Sequence, residues 1–393
     1  MSHYECIVVG GGLIGATVAL GLARQGRWVA LIETQPPTSF VVNAPPDLRV
    51  SALNLGTIAL LSELQAWPAI AALRCTPFQK LMVWEQGWEE KTVCFSAELF
   101  QQPLLGYMVE NSVLQAGLWD CLSSYPNLHR YVPASLQWLQ PNERGWQLQL
   151  KNGQKLTAAL VVAADGQASH ARQQAGISVS GWQYHQHCLL ISVKSQQPQQ
   201  NITWQCFYPN GPRAFLPLNQ PWASLAWYDT PTAVGRLSHL PLPLLTEAIQ
   251  HAYPERLGRV TAVAAQAFPL VSQRADTDYL PGLAVVGDAA HTIHPLAGQG
   301  ANLGFRDVAC LLKRLAPLAS LENCSALTPI LQQYQRQRLW DNRLMQWGMH
   351  GLAEGFRGQQ APLRWLRKRA LGCVEAIPWL KQQLLQYARG VAR

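Results

Sequence analysis

A glycine-rich segment near the start of the chain has the residue types and spacing of a phosphate-binding turn. Gly10-Gly11-Gly12-Leu13-Ile14-Gly15 lies between an apolar run typical of a strand and a run with helical periodicity. In such a turn Gly10 allows the tight bend, Gly12 lets the backbone approach a pyrophosphate, and Gly15 lets the helix pack on the strand. The phosphate then lies at a helix N-terminus, where free N–H groups favour an anion.

Glu33 supplies a second part of this site. It follows Gly12 by 33 − 12 = 21 residues and ends the next strand-like run, residues 28–32. A carboxylate at that place accepts hydrogen bonds from ribose hydroxyls. We therefore predict a βαβ dinucleotide-binding unit of about 30 residues. The alternative is a purely structural glycine-rich turn.

Two further carboxylates follow apolar strand-like runs much later in the chain. Asp165 comes after residues 160–164, and Asp288 comes after residues 283–286. Asp288 is placed to hold a ribityl hydroxyl, whereas for Asp165 an ordinary turn-forming role stays open. Glycines 298 and 300 then lead into a helix that begins near Ala301. A helix N-terminus there favours the negative charge of a reduced flavin ring. A cofactor held at such distant points of the chain indicates FAD and not NAD.

Composition limits the class of protein. The chain has 393 residues, 48% of them hydrophobic and 14% charged, which predicts a large folded core in more than one domain. Its nine cysteines form no C-x-x-C pair and no metal-ligand spacing, so we expect reduced thiols, a cytoplasmic protein and no metal. The net charge of +8 is concentrated near the C-terminus, which argues against a nucleic-acid partner. The sequence contains no run of 18 apolar residues, so it predicts no membrane-spanning helix.

The remaining pattern places these motifs on an α/β framework. We predict helices over 51–64 and 111–123, antiparallel strands over 78–95, and a hairpin around Asn152-Gly153. Short strands over 181–275 predict an inserted antiparallel sheet, and the chain after residue 286 is mostly helical. The predicted boundaries are 1–74, 106–180 and 277–340 for the cofactor-binding domain, 75–105 and 181–276 for the substrate domain, and 341–393 for C-terminal helices.

Together these motifs resemble the class A flavoprotein monooxygenases, which share the fold of 4-hydroxybenzoate hydroxylase. The most specific segment is Gly287-Asp288-Ala289-Ala290-His291-Thr292-Ile293-His294-Pro295-Leu296-Ala297-Gly298-Gln299-Gly300-Ala301-Asn302-Leu303-Gly304, followed by Arg306-Asp307. His294 stands where the wider class usually has proline, as is typical of the ubiquinone-biosynthesis hydroxylases. Residues 106–111, 211–218 and 222–225 resemble the bacterial demethoxyubiquinol hydroxylase branch of that family. The resemblance covers essentially the whole chain. It implies a Rossmann-like FAD-binding domain with an interleaved antiparallel-sheet substrate domain and a helical C-terminus.

The resemblance also implies a reaction. Non-covalently bound FAD, reduced by NADPH or NADH, reacts with O₂ to give a C4a-hydroperoxide that hydroxylates the ring of a polyprenylated benzoquinol. The expected position is the last open ring carbon. A sister hydroxylase acting at another ring carbon, a flavin-dependent prenyl-lipid reductase and a non-catalytic FAD-binding scaffold remain as alternatives.

The resemblance extends to individual residues. Arg49 is expected near the flavin, Gln115 is expected to touch the cofactor, and the Asp165 loop is expected to contact the pyrophosphate region and the reductant. His294, Pro295 and Tyr228 are the catalytic candidates, with His185 and His187 as further candidate bases and a structural role as the alternative for each. Phe207, Phe215, Pro217 and Trp227 are expected either to wall the ring pocket or to be plain core. The predicted cofactor-binding set is Gly10, Gly12, Gly15, Glu33, Arg49, Gln115, Asp165, Asp288, Gly298, Gly300, Ala301 and Asn302.

The C-terminal tail is basic. Residues 362–393 contain seven basic residues and one acid, Glu375, with apolar residues interleaved at roughly helical spacing. One interpretation is peripheral contact with the inner face of the cytoplasmic membrane, where a polyprenyl substrate resides. The other is a helix pair packed on the flavin domain with an exposed basic side. A ubiquinone-biosynthesis complex is a further expected partner.

Overall fold

The computed structural model describes residues 2–294, 300–322 and 324–356, together with 367, 369, 372, 375, 377, 379 and 381–383. The helices are α1 Leu13–Arg24, α2 Leu55–Glu63, α3 Trp67–Leu73, α4 Asn111–Leu122, α5 His170–Gln174, α6 Pro231–Ser238, α7 Leu242–Ala252, α8 Gly300–Leu315 and α9 Cys324–Gly355. The strands are β1 Ser2–Val9, β2 Val29–Ile32, β3 Val50–Asn54, β4 Thr76–Phe78, β5 Lys80–Glu85, β6 Val93–Ser96, β7 Gly106–Glu110, β8 Leu128–Tyr131, β9 Leu136–Asn142, β10 Gly145–Leu150, β11 Lys155–Ala163, β12 Val179–Ser195, β13 Ile202–Tyr208, β14 Gly211–Pro217, β15 Trp222–Asp229, β16 Val260–Ala275, β17 Tyr279–Leu280, β18 Leu283–Val285 and β19 His291–Thr292.

A parallel sheet brings the distant glycine motifs together. Its main strand order is β17-β18-β11-β1-β2-β8, with β10 and β9 continuing from the first part of β11. Strands β1, β2, β8, β11 and β18 run parallel, so their carboxyl ends share one edge. Val9 of β1 pairs with Ile32 and Ala163, the last residues of β2 and β11. The segments that begin at Gly10, Glu33 and Gly287 therefore leave the sheet at the same edge, where ligands bind in such folds.

This sheet is buried on both faces, as its continuous apolar strands require. On one face Val8 packs with α1, α4 and α8, and on the other Ile7 packs against β9, β10 and α5. The predicted hairpin is confirmed, because β10 and β11 are antiparallel on either side of the turn at Gly153, whose φ is +86°.

A second sheet has eight strands in the order β19-β16-β12-β15-β14-β13-β5-β6. All of its pairs are antiparallel except β13 with β5. Helices α6 and α7 cover one face, where Leu189 and Leu225 pack with Val234 and Ile249. These two helices were not expected between residues 181 and 275. The fold class, α/β with an antiparallel second sheet and a helical C-terminal part, is confirmed. The exact domain boundaries stay predictions.

One predicted helix is wrong in its first turn. Residues 51–54 belong to β3, which pairs with β7 and, through it, with β4 in a three-stranded sheet. The helix begins only after Asn54, whose side chain accepts a hydrogen bond from the backbone N–H of Thr57 at 2.9 Å. An asparagine cap of this kind marks a helix start, so the strand ends where the cap begins.

Within the described ranges, no individual helix combines the length and apolar character of a membrane span. Helices α2 and α3 satisfy that criterion only when taken together, across a bend of 116°.

Candidate cofactor and substrate site

The turn after β1 has the steric properties of a phosphate-binding loop. Gly10 has φ +100°, and a Cβ there would lie 2.5 Å from the carbonyl oxygen of Ala164. A Cβ on Gly15 would lie 1.9 Å from the carbonyl oxygen of Gly10. Gly12 is the N-cap of α1, and a Cβ added there would meet no atom within 4 Å. Packing therefore requires Gly10 and Gly15, while Gly12 leaves space for a ligand at the helix N-terminus.

Side chains from two other elements hold this turn in place. The Glu33 carboxylate accepts a hydrogen bond from the backbone N–H of Gly11. On α4, Gln115 Nε2 and Trp119 Nε1 both donate to the carbonyl oxygen of Gly11, at 3.0 Å and 2.8 Å. Gln115 thus contacts the glycine turn, and its expected contact with the cofactor stays a prediction. Trp119 was not predicted, although its position one helical turn after Gln115 places it on the same face.

A cavity of about 820 Å³ connects this turn with the second sheet. Gly12, Arg49 and Asp288 all line it. Gly300 and Ala301, at the N-terminus of α8, form another part of the wall. A cavity of this volume, lined by a glycine turn and a second helix N-terminus, fits a dinucleotide such as FAD.

Asp288 and Arg49 bring opposite charges to the cavity. The Asp288 side chain is exposed to the cavity, and protein atoms surround its other sides. Burial raises the pKa of Asp288, while the nearby His291 and Arg49 charges act in the opposite direction. The Arg49 guanidinium carbon lies 4.8 Å from the ring centroid of Phe268, which also lines the cavity. Both residues therefore line the cavity, and their contact with a flavin stays a prediction.

A buried ion network supports the turn that carries Asp288. Asp307 on α8 accepts a hydrogen bond from the backbone N–H of Gly287 at 2.9 Å, and its carboxylate contacts His291 Nε2 at 2.6 Å. Arg338 on α9 donates to its other oxygen at 2.7 Å. Burial opposes ionisation of Asp307, but His291 and Arg338 outweigh it and lower its pKa to about 2. Burial also opposes protonation of His291, but Asp307 raises its pKa overall. Sequence reasoning assigned this network no role, although Asp307 belongs to the quoted motif.

Among the predicted cofactor-binding residues, Asp165 has a side chain that bonds other residues of the protein. Asp165 accepts hydrogen bonds from the hydroxyl of Ser169 and, at 2.9 Å, from the backbone N–H of Ala171. It therefore orders its own turn, and the neighbouring Gly166 lines the cavity instead. These bonds favour the turn-forming alternative for the Asp165 side chain, and the expected contact of its loop with the cofactor stays a prediction.

The side chain of Asn302 also serves the fold. It is buried, its Oδ1 accepts hydrogen bonds from Asn54 N at 3.0 Å and Thr57 Oγ1 at 2.9 Å, and its Nδ2 donates to Ala52 O at 2.7 Å. These bonds join α8 to β3 and α2. The side chain therefore has a structural role, and the predicted cofactor contact of Asn302 stays a prediction.

The catalytic candidates Tyr228 and His294 lie together beside the cavity. Tyr228 lines the cavity, and the buried His294 ring stacks on it with centroids 5.6 Å apart. Tyr184 meets the same imidazole edge-on at 4.9 Å. Burial raises the pKa of Tyr228 well above its ordinary value, so its phenol stays neutral. The other predicted residues of this loop, Pro295 and Gly298, lie outside the described residues.

The two other histidine candidates do not line the cavity. His185 is exposed, and His187 is half-buried opposite Asp229 in the β12–β15 ladder. Neither is placed to act on a ring bound in this cavity.

The side chains that were expected to wall the ring pocket do not line the cavity. Phe215 and Trp227 pack on the α6–α7 side, and Phe207 stacks on Phe356. Pro217 does not line the cavity either. On β12, β14 and β15 the side chains of the face opposite to Phe215 and Trp227 form the wall instead: Leu190, Ala214, Leu216, Ala226 and Tyr228. Both faces of these strands are covered, so the side-chain pattern did not reveal which face met the cavity.

The described part of the basic tail contacts the second sheet. Arg367 forms a buried ion pair with Glu85 of β5, with 2.9 Å between nitrogen and oxygen. Two further residues contact Cys94 of β6. Lys381 Nζ donates a hydrogen bond to the carbonyl oxygen of Cys94, and the Glu375 carboxylate accepts one from the backbone N–H of Cys94, both at 3.0 Å. These contacts correct the expectation of a tail packed on the flavin domain. They also remove Arg367 and Lys381 from any lipid-facing surface.

Comparison with known proteins agrees with this geometry. The family described as "FAD binding domain" matches residues 3–344. The chain is 46% identical over 387 residues to 3-demethoxyubiquinol 3-hydroxylase of Escherichia coli, covering 98% of each sequence. It is 32% identical over 390 residues to ubiquinone hydroxylase UbiL of Rhodospirillum rubrum, covering 99% of this chain and 90% of that one.

A solved structure shows the same fold at low sequence identity. The p-nitrophenol 4-monooxygenase PnpA from Pseudomonas putida DLL-E4 superposes with a TM-score of 0.82 at 16% identity, covering 100% of both chains. Sequence, fold and the glycine-lined cavity lead to one assignment. The chain belongs to the FAD-binding monooxygenases, in the family of ubiquinone-biosynthesis hydroxylases.

Proposed function

We propose that this enzyme hydroxylates the ring of a polyprenylated benzoquinol, at the last ring carbon left open in ubiquinone biosynthesis. The observation that carries the proposal is one continuous cavity, which joins the glycine turn and Asp288 to an apolar wall on the second sheet. The name of the Escherichia coli relative supports the ring position, because the two sequences match over 98% of their length.

The chain's own residues divide the work of binding between the two sheets. Gly12 and the N-terminus of α1 would hold the pyrophosphate, and Asp288 would accept a hydrogen bond from a ribityl hydroxyl. Gly300 and Ala301, at the N-terminus of α8, would favour negative charge on the flavin ring. When bound, FAD supplies the transfer of an oxygen atom from O₂, at the expense of NADPH or NADH.

The wall of the second sheet receives the quinol ring. Leu190, Leu216 and Ala226 exclude water from this part of the cavity, which suppresses unproductive loss of reducing equivalents. Tyr228 remains a neutral phenol, so it serves as a hydrogen-bonding group toward a ring oxygen and not as a general base. His294 and Tyr184 position it by ring contact from behind.

The test uses the purified holoenzyme, a short-chain demethoxyquinol and ¹⁸O₂. We expect one labelled oxygen atom in the product for each NAD(P)H consumed, on the ring carbon that the next methylation modifies. Label on another ring carbon would move the enzyme to a sister hydroxylation. Quinol-dependent NAD(P)H oxidation without label would indicate a reductase, and no oxidation at all would indicate a scaffold.

Partners are part of the proposal as well. The substrate is a prenyl lipid, so we infer contact with the membrane that stores it and association with other ubiquinone-biosynthesis enzymes. In a strain that lacks this chain, the demethoxy intermediate should accumulate. Accumulation of an earlier intermediate would contradict the assigned step.

A further inference from the structure

Helix α9 exposes a row of large apolar side chains. Trp340, Leu344 and Trp347 are 73%, 61% and 64% exposed, and their spacing of four and three residues puts them on one face. The opposite face of the helix is buried through residues such as Tyr334 and Met345. A contiguous patch of two tryptophans and a leucine in water usually marks a binding surface.

The same face is positively charged. Arg336 and Arg343 are exposed and lie on it, and we call Arg336, Trp340, Arg343, Leu344 and Trp347 the outer face of α9. The helix contains two acids, Asp341 and Glu354. Asp341 already pairs with Arg306 at 3.1 Å and with Arg338 at 2.5 Å, so it does not neutralise the outer face.

A row of aromatic contacts connects the outer face with the cavity. Trp347 lies 6.0 Å from His350, measured between ring centroids, and His350 lies 5.9 Å from Tyr184. Tyr184 contacts His294 at 4.9 Å, and His294 stacks on the cavity-lining Tyr228 at 5.6 Å. Trp182, 38% exposed, lies beside this row at 5.1 Å from His350.

We propose that the outer face of α9 docks on an anionic lipid bilayer. The aromatic row then marks the side of the enzyme from which a prenylated ring reaches the cavity, an inference that rests on the proposed function. Tryptophan rings prefer the membrane–water interface, and arginine side chains extend from it toward anionic headgroups. A second copy of the chain fits this face less well. A two-fold contact would bury Arg336 and Arg343 of both copies, with Asp341 already engaged.

The first experiment measures binding of the full-length holoenzyme to vesicles of phosphatidylcholine with and without phosphatidylglycerol. We expect binding to the anionic vesicles, weakened by salt. The variant Trp340→Ser/Leu344→Ser/Trp347→Ser should reduce the partition constant at least tenfold. Arg336→Gln/Arg343→Gln should reduce it by about fivefold for each arginine. The control Val41→Ser/Val42→Ser/Leu244→Ser removes three exposed apolar side chains elsewhere and should bind like the wild type.

The second experiment separates docking from catalysis. With a short-chain quinol in solution, the α9 variants should hydroxylate at the wild-type rate. With a long-chain quinol supplied in anionic vesicles, their rate should fall at least tenfold. A wild type inactive on the short-chain quinol would refute the proposed function and leave the vesicle measurements standing.

Three results would overturn the docking proposal. The first is a wild type that does not bind anionic vesicles, and the second is an α9 variant that binds them unchanged. The third is a wild-type dimer in sedimentation velocity that the triple variant dissociates, because this face would then belong to a second copy. Flavin absorbance and thermal unfolding check that each variant is folded, and the arginine pair variant keeps the apolar packing intact.

Discussion

The carboxylate of Asp307 accepts a hydrogen bond of 2.9 Å from the backbone N–H of Gly287, which precedes it by 20 residues. Through this bond helix α8 holds the turn that presents Asp288 to the cavity. The same carboxylate is shared with His291 and Arg338, so one buried group supports the loop that lines the cavity. Binding of the cofactor and stability of the fold are therefore expected to depend on each other here.

Replacement of Asp307 tests this relationship. Asp307→Asn cannot accept hydrogen bonds from Gly287, His291 and Arg338 together, and it leaves buried charge uncompensated. We expect a loss of about 3–5 kcal/mol in the free energy of unfolding, measured by denaturant titration. The control Asp341→Asn, at a half-buried position, should cost far less.

The contacts of Asp307 with His291 and Arg338 also predict that the stability of the fold depends on pH in acid. Its pKa is lowered to about 2, so its stabilisation is complete above about pH 4 and is lost as the pH falls toward 2. The Asp307→Asn variant should lack this part of the acid transition. Identical acid limbs for the wild type and the variant would contradict the assignment.

Substitutions at two glycines of the first turn should impair different properties, folding at Gly15 and FAD binding at Gly12. Gly15→Ala places a Cβ 1.9 Å from a backbone oxygen, so we expect poor folding and a lower melting temperature. Gly12→Ala meets no protein atom within 4 Å, so its fold should persist while the affinity for FAD falls at least tenfold. Thermal unfolding of the apoprotein and flavin titration distinguish the two effects. A Gly12→Ala protein that binds FAD normally would place the pyrophosphate elsewhere.

Asp288 predicts a loss of cofactor without loss of fold. Its side chain faces the cavity, so Asp288→Ala removes a flavin contact and leaves the core untouched. We expect an increase in the dissociation constant for FAD of about 10- to 100-fold, the value of one buried hydrogen bond to a charged group. Asp165→Ala is the matched control, because that carboxylate bonds its own turn and should alter stability more than affinity. Mutant protein that remains fully yellow after dialysis would contradict the assigned role of Asp288.

Asp278 predicts a stabilising substitution. The residue is buried 3.6 Å from Arg274, and burial raises its pKa to about 6. Its ionisation therefore costs stability as the pH rises from about 4 to 6, by up to about 3 kcal/mol. Asp278→Asn should be more stable than the wild type at pH 7.5, and the difference should shrink toward pH 4. Urea unfolding at the two pH values measures it, with Asp276→Asn at the neighbouring exposed position as the control. Equal pH slopes would show that the carboxylate titrates normally.

Local spacing made one half of the site predictable. Gly12, Glu33 and Asp288 follow strands whose carboxyl ends must meet, because parallel strands joined by helices leave little choice of geometry. The second half depends on contacts that sequence does not display. Residues 51–54 form a strand because β7, more than 50 residues later, pairs with them.

The substrate wall was missed for a related reason. Phe215 and Leu216 are adjacent and both apolar, yet one packs under α6 and α7 while the other lines the cavity. A strand covered on both faces has no polar side to reveal its orientation. Likewise, Asp165 and Asn302 stand in motif positions, but their partners identify them as supports of the backbone.

The contacts of Lys381 and Glu375 with Cys94 have a consequence for assembly. Strand β6 is an edge strand of the second sheet, and an uncovered edge strand can pair with strands of other molecules. Here two side chains that follow Cys94 by 281 and 287 residues bond its outward N–H and carbonyl group. These two side chains are therefore synthesised long after the strand that they cover. A chain that lacks Glu375 and Lys381, because it is still being synthesised or has been cleaved, would therefore leave the β6 edge uncovered and able to aggregate.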